Sequence, residues 1–315
     1  MIKLRVAGGA AALIAASWLL VLPASEETYF RPDVAVQAAE PKATILFGGD
    51  MMFDRSVRVA MEEKGDDYVF SCIADILHSV DLVVANLEGP ITAHESKSVG
   101  TKVGGEGNFT FTFPTSTAAL LSRHNIRLVS IGNNHIMNFG RDGLLETKRF
   151  LDDAGVFYFG DPDLVESDRV ERVERVEIRG IPFSFVNWSD WTSDKTDHTV
   201  QQVRKEVERD RVTIVYTHWG EEYVPPSSAV RQLAHSFVDA GAAIVIGLHP
   251  HIVQEHEEYL GRHIYYSLGN MLFDQYWDES VRRGLLLRVE FTQKGVERVE
   301  EIPIDNQTDR RVCAA

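Results

Sequence analysis

The sequence is short of cysteine and of positive charge. Its 315 residues include two cysteines, Cys72 and Cys313, and carry 32 Lys and Arg against 47 Asp and Glu, a formal net charge of −15. With only two cysteines, the chain cannot supply the thiolates of a cysteine metal cluster. Because Cys72 lies in an apolar segment and Cys313 in a polar tail, we do not expect a disulfide between them. The acidic balance also argues against a nucleic-acid partner, which would need basic patches.

One long apolar run without charge stands at the N-terminus. Lys3 and Arg5 precede the apolar stretch 6–22, which is the pattern of a secretory signal. The stretch is slightly shorter than the roughly 20 residues of a comfortable transmembrane helix. Residues 1–24 are therefore predicted to be either a cleaved signal peptide or a retained membrane anchor, followed by a polar tether over 25–41. Both alternatives place the remaining chain outside the cytoplasm, secreted or anchored to the cell membrane.

The remaining chain predicts one α/β domain over residues 42–305 and a tail over 306–315. Strands and helices alternate in its first half, and antiparallel strands are frequent in its second half. This order favours two sheets packed face to face with helices outside. Within it, the pattern predicts a helix over 68–78, a surface loop over 94–108 and a half-buried strand over 108–113.

Polar side chains with metal-ligand chemistry follow five strand-like apolar runs. Because ligands of open α/β folds bind outside the carboxyl ends of the strands, we expect these side chains to lie together. Each one taken alone is more often a helix cap, a turn residue or a core imidazole. Five coincident strand ends instead predict a site for divalent Mn, Zn or Fe, ions that accept mixed carboxylate, amide and imidazole ligands. The candidate ligands are Asp50, Glu88, Asn134, His218, His249 and His251.

Six short segments share a recognisable pattern and order. They are Phe47–Met52, Asn86–Thr92, Asn133–Gly140, Thr217–Tyr223, Gly247–Gln254 and Tyr265–Asn270. In sequence and order these segments resemble the CapA/PgsA family of bacterial poly-γ-glutamate capsule biosynthesis proteins, within the calcineurin-like metallophosphoesterase superfamily. The resemblance implies a four-layer α/β/β/α sandwich of two mixed sheets with a two-metal centre.

The resemblance also implies a role for each candidate residue. Asp50 and His251 would hold the first metal, and Glu88 would bridge to a second metal held by Asn134, His218 and His249. His135 would protonate the leaving group or steady its charge. Residues that could orient substrate or the ligands are Arg55, Asn86, Glu222 and Asn270.

One position departs from the superfamily's first motif. Met52 stands where a histidine is usual, so the first metal would be held more weakly or would take another ligand such as Asp54.

Two functions are compatible with these residues. The first is a metal-dependent hydrolase or transferase with two divalent ions, acting on an anionic capsule polymer or a phosphoester. The second is a non-catalytic component for polymer export or binding that has kept the fold. Membrane-embedded capsule synthesis or export proteins are expected partners in either case. The nearly complete ligand set favours the enzyme, although a fold alone does not establish an activity.

Overall fold

The structure is a computed structural model that describes residues 40–163, 173–192 and 196–315. The predicted signal peptide or anchor, and all but the last two residues of the predicted tether, lie outside the described residues. Among the helices that are described, none is long and apolar enough to cross a membrane.

The first sheet has eight strands within the described residues. Four parallel strands are joined to an antiparallel group in the order β14-β13-β12-β1-β2-β3-β4, and β11 pairs with the end of β1. Its strands are β1 (Ala43–Met51), β2 (Leu82–Leu87), β3 (Ile126–Ser130), β4 (Phe157–Phe159), β11 (Asn270–Leu272), β12 (Arg283–Thr292), β13 (Gly295–Asn306) and β14 (Val312–Ala314).

In the part of the chain that the structure describes, the second sheet has six strands in the order β5-β6-β7-β8-β10-β9. Strands β6, β7, β8 and β10 are parallel, and the strand at each edge is antiparallel. Its strands are β5 (Val173–Ile178), β6 (Ile181–Ser189), β7 (Val212–His218), β8 (Ile244–Leu248), β9 (His256–Tyr259) and β10 (Arg262–Tyr265).

The helices form two outer layers. The described helices are α1 (Arg55–Lys64), α2 (Ala74–His78), α3 (Thr117–Arg123), α4 (Gly140–Ala154), α5 (Thr196–Val207), α6 (Ser228–Asp239) and α7 (Glu279–Arg282), with a 3₁₀ helix over Asp66–Phe70. Side chains of α1, α3 and α4 pack on the outer face of the first sheet, and those of α5 and α6 pack on the outer face of the second. A third apolar cluster fills the space between the sheets. The predicted α/β/β/α sandwich of two mixed sheets is therefore confirmed.

The strand sequences explain this layering. In β1, Ile45 and Phe47 belong to the cluster between the sheets, whereas Leu46 belongs to the helix-side cluster. Successive residues of a strand point to opposite faces, so a continuous apolar run is what a sheet covered on both faces needs. The strand-like runs read from the sequence are accordingly buried, apart from the half-buried Thr44 and the exposed Arg127, and their carboxyl ends meet at one edge.

A close approach of two backbones brings a further strand to that edge. A Cβ atom at Gly49 would lie 1.9 Å from the carbonyl oxygen of Gly269, so only glycine lets β11 pair there with β1. The pairing sets Asn270 opposite Asp50, while Asn86 of β2 is the partner of Asp50 on its other side.

Three local predictions were wrong. Residues 68–78 form the end of a 3₁₀ helix and a separate short helix rather than one helix. Residues 108–113 form turns and a single bridge from Phe113 to Ile91 rather than a strand. Residues 306–315 are not a tail, because β14 pairs with the end of β13.

Cys72 and Cys313 form a disulfide, contrary to expectation. Their Cα atoms are 4.8 Å apart, although 241 residues separate them in the sequence. The hairpin of β13 and β14 makes β14 the edge strand of the first sheet, where it lies against the 3₁₀ helix. This position of β14 brings the two cysteines together. The local sequence around Cys313 does not predict the hairpin.

We expect Cys313→Ser to lower the free energy of unfolding by about 2–4 kcal/mol, because the disulfide restricts the unfolded chain. Urea unfolding with and without dithiothreitol checks this. Dithiothreitol should bring the wild-type protein down to the variant and leave the variant unchanged. If dithiothreitol leaves the unfolding midpoint of the wild type unchanged, the expected stabilisation is contradicted.

A buried carboxylate ties α5 to the second sheet. Glu206 is fully buried, and it accepts hydrogen bonds from Arg175 (2.6 and 2.8 Å), Ser184 (2.7 Å), Gln202 (2.9 Å) and Arg209 (2.9 Å). Burial raises its pKa, but the hydrogen bonds of Arg175 and Ser184 and the arginine charges outweigh burial and lower the pKa from 4.5 to about 2. The ionised carboxylate therefore stabilises the fold above its unfolded pKa.

Replacing this carboxylate is expected to be costly. Glu206→Gln should lower the free energy of unfolding by about 1–3 kcal/mol at pH 7, because it removes charge-assisted hydrogen bonds to the half-buried Arg175 and the exposed Arg209. The deficit should shrink as the pH falls from about 4.5 towards 2, where the wild-type carboxylate itself becomes protonated. Urea unfolding over this pH range measures both effects. Glu208→Gln, at an exposed position, is the control, and equal stabilities of the two variants would refute the role of Glu206.

Candidate metal centre

The carboxyl ends of β1, β2, β3, β7 and β8 gather the six predicted metal ligands into one buried cluster. Ligand atoms of Glu88, His218 and His249 lie within 4.8 Å of one another, and so do those of Asp50, Glu88 and His251. Asn134 joins the cluster through its Oδ1 atom, 2.9 Å from Nε2 of His218. The structure therefore brings together all the residues that the strand ends predicted.

Asp50 is held from two sides. The Asn86 side-chain amide donates to its Oδ1 (2.8 Å), and the backbone amide of His249 donates to its Oδ2 (3.0 Å). Burial raises the pKa of Asp50 to about 7 against the opposing effect of these two hydrogen bonds. Asn86 is oriented in turn by Asn133, whose Nδ2 donates to its Oδ1 (3.0 Å).

Glu88 lies at the centre of the cluster with both carboxylate oxygens buried. Within the described part of the chain, neither oxygen has a hydrogen-bond partner. Oε1 is 3.6 Å from Nε2 of His251 and 4.0 Å from Nε2 of His218. Burial, followed by the charges of Asp50 and Glu222, raises the pKa of Glu88 well above its ordinary value.

The three histidines of the cluster, His218, His249 and His251, are all buried. Burial lowers the pKa of His249 to about 4 and that of His251 to about 3, and burial and the other two imidazoles lower the pKa of His218 well below its ordinary value. Neutral imidazoles have a nitrogen lone pair to offer, which is the form that binds a metal.

Asn270 fixes which nitrogen of His251 is available. The Asn270 Nδ2 group donates to the Val281 carbonyl (2.9 Å) and to Gln275 (3.1 Å), so its Oδ1 accepts from Nδ1 of His251 (2.9 Å). The Nε2 lone pair of His251 then faces Glu88. Such a hydrogen bond to the far nitrogen is usual for metal-ligating histidines, since it sets tautomer and ring orientation.

The loop after β8 adopts a strained backbone to present its two imidazoles. His249 has φ 93° and His251 has φ 57°, both in the region that favours glycine. Strain of this kind costs about 1–3 kcal/mol per residue and clusters at functional sites. The ring of Trp191 packs 4.1 Å from the His249 ring and 5.3 Å from the His218 ring.

His135 and Arg55 lie beside the cluster rather than in it. The His135 ring packs on Phe111 (4.4 Å) and its Nδ1 is 3.2 Å from Oδ1 of Asn138. Burial lowers its pKa to about 4. Arg55 is nine-tenths buried, with its guanidinium 5.1 Å from the centre of the Phe111 ring and Nη2 2.5 Å from Asp274 Oδ1.

Met52 and Asp54 are both engaged elsewhere. Met52 is buried in the helix-side apolar cluster, and its sulfur lies 2.9 Å from the Asp54 amide nitrogen. The Asp54 carboxylate accepts hydrogen bonds from Arg58 (3.0 Å) and from the Thr112 amide (2.9 Å). Asp54 lies outside the three groups of candidate ligands found among the described residues, so the structure gives no support to Asp54 as the replacement for the missing histidine.

Sequence reasoning missed three residues of this site. Asn133 orients Asn86, Trp191 covers two imidazoles and Asp274 fixes Arg55. Asn133 could have been predicted from the sequence, because it directly precedes the candidate ligand Asn134. Nothing in the local sequence marks Trp191 or Asp274, because their roles depend on contacts between distant segments.

The donor set of the cluster fits divalent metal ions. Two carboxylates, an amide oxygen and three imidazoles converge, and the buried oxygens of Glu88 and Nδ1 of His249 find no hydrogen bond within the described residues. A cation would reverse the unfavourable burial of both carboxylates, which is the physical reason to expect one. The fold and this cluster together define an α/β/β/α sandwich protein with a candidate metal centre, an architecture consistent with the metallophosphoesterase superfamily.

Comparison with known proteins identifies the family of the chain. The pattern of the family described as "Bacterial capsule synthesis protein PGA_cap" matches residues 44–275, and the chain belongs to this family. It is 30% identical over 275 residues to "PGA biosynthesis protein CapA" of Bacillus subtilis, a match that covers 82% of this chain and 70% of that protein.

Two further relatives carry similar descriptions. The chain is 28% identical over 313 residues to "Capsule biosynthesis protein CapA" of Bacillus anthracis, covering 94% of this chain and 73% of that protein. It is 29% identical over 171 residues to a "Probable polyglutamine synthesis accessory protein" of Mycobacterium tuberculosis, covering 46% of this chain and 44% of the relative. The family predicted from the six segments is thereby confirmed.

Proposed function

We propose that the protein is a metal-dependent hydrolase or transferase of the cell envelope that acts on an anionic capsule polymer or a phosphoester. The observation that carries this proposal is the Glu88 carboxylate, buried between His218 and His251 with neither oxygen hydrogen-bonded within the described residues. A buried carboxylate without partners is costly unless a cation binds it.

The centre has the donors for two ions. Asp50, Glu88 and His251 form one group of candidate ligands, and Glu88, His218 and His249 form another, with Asn134 beside His218. Divalent ions held there would polarise a substrate oxygen and lower the pKa of a water molecule. Asn86 and Asn270 position Asp50 and His251 for that task.

The residues beside the centre supply what a substrate with negative charge needs. The Arg55 guanidinium is fixed by Asp274 and lies between the rings of Phe111 and Phe273. It is placed to bind an anionic group of the substrate. In the neutral His135 ring, Nδ1 donates to Oδ1 of Asn138, so Nε2 has a free lone pair. His135 would therefore take up a proton at Nε2 before it gives that proton to the leaving group.

The disulfide supports an extracytoplasmic location. Structural disulfides persist in oxidising compartments and are rare in the cytosol, and Cys72–Cys313 joins segments 241 residues apart. Together with the apolar N-terminal run, it favours a protein secreted or anchored to the membrane. Membrane-embedded capsule synthesis or export proteins are the proposed partners there. We do not propose nucleic acid as a partner.

A second function is favoured by one observation. Met52 occupies the place of a usual ligand and packs in the apolar core, so one metal position has a reduced donor set. A non-catalytic export or polymer-binding component would tolerate this loss.

Metal analysis of the full chain, paired with activity assays, separates the two functions. The protein is loaded with Mn²⁺ or Zn²⁺, its bound metal is measured, and turnover is tested on bis-p-nitrophenyl phosphate and on poly-γ-glutamate. Bound metal with turnover of either substrate supports the enzyme. Absence of metal after loading, or metal without turnover while poly-γ-glutamate binds, favours the non-catalytic component.

A further inference from the structure

One potential ligand of the cluster comes from outside the predicted metal set. Ligand atoms of Glu222, His249 and His251 lie within 4.8 Å of one another. Glu222 is exposed, whereas the two imidazoles are buried. Its carboxylate therefore stands on the solvent side of the centre, next to one imidazole of each proposed metal position.

Exposed carboxylates are common without any metal, so its position needs a structural cause. The turn that carries Glu222 follows β7 and is attached to the loop of the two histidines. The amide of Tyr223 donates to the Pro250 carbonyl (2.9 Å), and the Tyr223 ring lies 6.1 Å from the His251 ring. The Tyr223 hydroxyl accepts a hydrogen bond from Gln275 (3.0 Å).

These contacts fix the backbone next to Glu222. Tyr223 has φ 64°, a conformation unusual for a bulky residue. The turn therefore keeps a strained backbone and is hydrogen-bonded to the loop of the two histidines. Its backbone holds Glu222 at a position from which the carboxylate reaches His249 and His251.

The first proposed metal position has only three buried candidate ligands among the described residues, so it needs a further donor. Asp50, Glu88 and His251 form a buried group of three ligands. Met52 packs in the apolar core and Asp54 bonds to Arg58 and Thr112, so neither completes the set. First-row divalent ions take four or more ligands, some from the protein and some from water or substrate.

We propose that Glu222 is a direct carboxylate ligand of the metal centre, which closes its solvent side and supplies the donor that Met52 does not. This inference rests on the proposed metal centre, because Glu222 would otherwise have nothing to bind. It also predicts that the side open to substrate carries a negatively charged ligand, in addition to the buried bridging carboxylate.

Metal titrations of the full chain test the proposal. Mn²⁺ binding is followed by electron paramagnetic resonance and Zn²⁺ binding by calorimetry for wild type, Glu222→Gln, Glu222→His and Glu221→Gln. Changing residues that merely orient ligands typically lowers metal affinity about 10–100-fold. Loss of a direct ligand in Glu222→Gln should therefore weaken one ion by at least about tenfold. The Mn²⁺ spectrum of that site should change.

The other two variants sharpen the result. Glu222→His restores a donor and should recover affinity for Zn²⁺. Glu221→Gln removes an equally exposed neighbouring charge and should match the wild type. If Glu222→Gln binds two ions as tightly as the wild type and Glu221→Gln, Glu222 is not a ligand, while the metal centre itself stands. If the wild type binds no ion, both the centre and this ligand are refuted.

Discussion

Glu88→Gln is expected to strip bound metal from the centre and at the same time to make the metal-free protein more stable. The wild-type carboxylate is fully buried, and its oxygens lack hydrogen-bond partners within the described residues. Gln keeps the shape of the side chain but removes the buried charge and its repulsion with Asp50, so the metal-free fold should become more stable at pH 7, by about 1–3 kcal/mol. The stabilisation that bound metal gives to the wild type should be lost, because it depends on affinity.

Metal content and thermal unfolding measure these opposite effects. Wild type and variant are compared after treatment with a chelator and after loading with Mn²⁺. The wild type should gain stability from Mn²⁺ and the variant should not. Glu221→Gln serves as the charge-matched control and should respond like the wild type. A variant that keeps full metal content would rule out Glu88 as the bridging ligand.

His135→Ala is expected to retain metal and to lose most turnover. His135 lies next to Asn134 in sequence but outside the three groups of candidate ligands, so its removal should leave the donor set complete. A positioned group that assists proton transfer, or steadies developing charge, typically contributes about 10²–10⁴-fold to the rate. We expect a loss of this size in kcat on bis-p-nitrophenyl phosphate, with unchanged Mn²⁺ stoichiometry.

A second histidine gives the matched control. His94 is exposed and stacks on Phe139, and His94→Ala should keep both metal and turnover. Full turnover in His135→Ala with metal intact would remove His135 from the chemistry. Loss of metal in the same variant would instead assign His135 to the ligand set, and the proposed division of roles would be wrong.

The site was predictable because strand ends in an α/β fold meet at one edge. Asp50, His218 and His249 each end or follow a continuous apolar run, so the local pattern alone places them together. The resemblance to a family added their order and roles. Burial on both faces made the parallel strands the clearest elements of the sequence.

Other features depend on contacts that a local pattern does not contain. The segment 108–113 alternates apolar and polar residues, yet its backbone bonds to Pro90, Asp54 and Asn138 instead of pairing in a sheet. Asp54 looked like a free ligand because its partners, Arg58 and Thr112, come from a helix and that same segment. Trp191 covers His249 only through the packing of distant loops.

The Cys72–Cys313 bond closes most of the domain into a covalent ring. A single cut of the backbone at any point between these residues opens the ring but leaves both pieces joined through sulfur. The surface loop over 94–108, which lies inside the ring, can be cleaved by a protease without releasing a fragment. On an electrophoresis gel the nicked chain would migrate as one species until a reductant separates it into two.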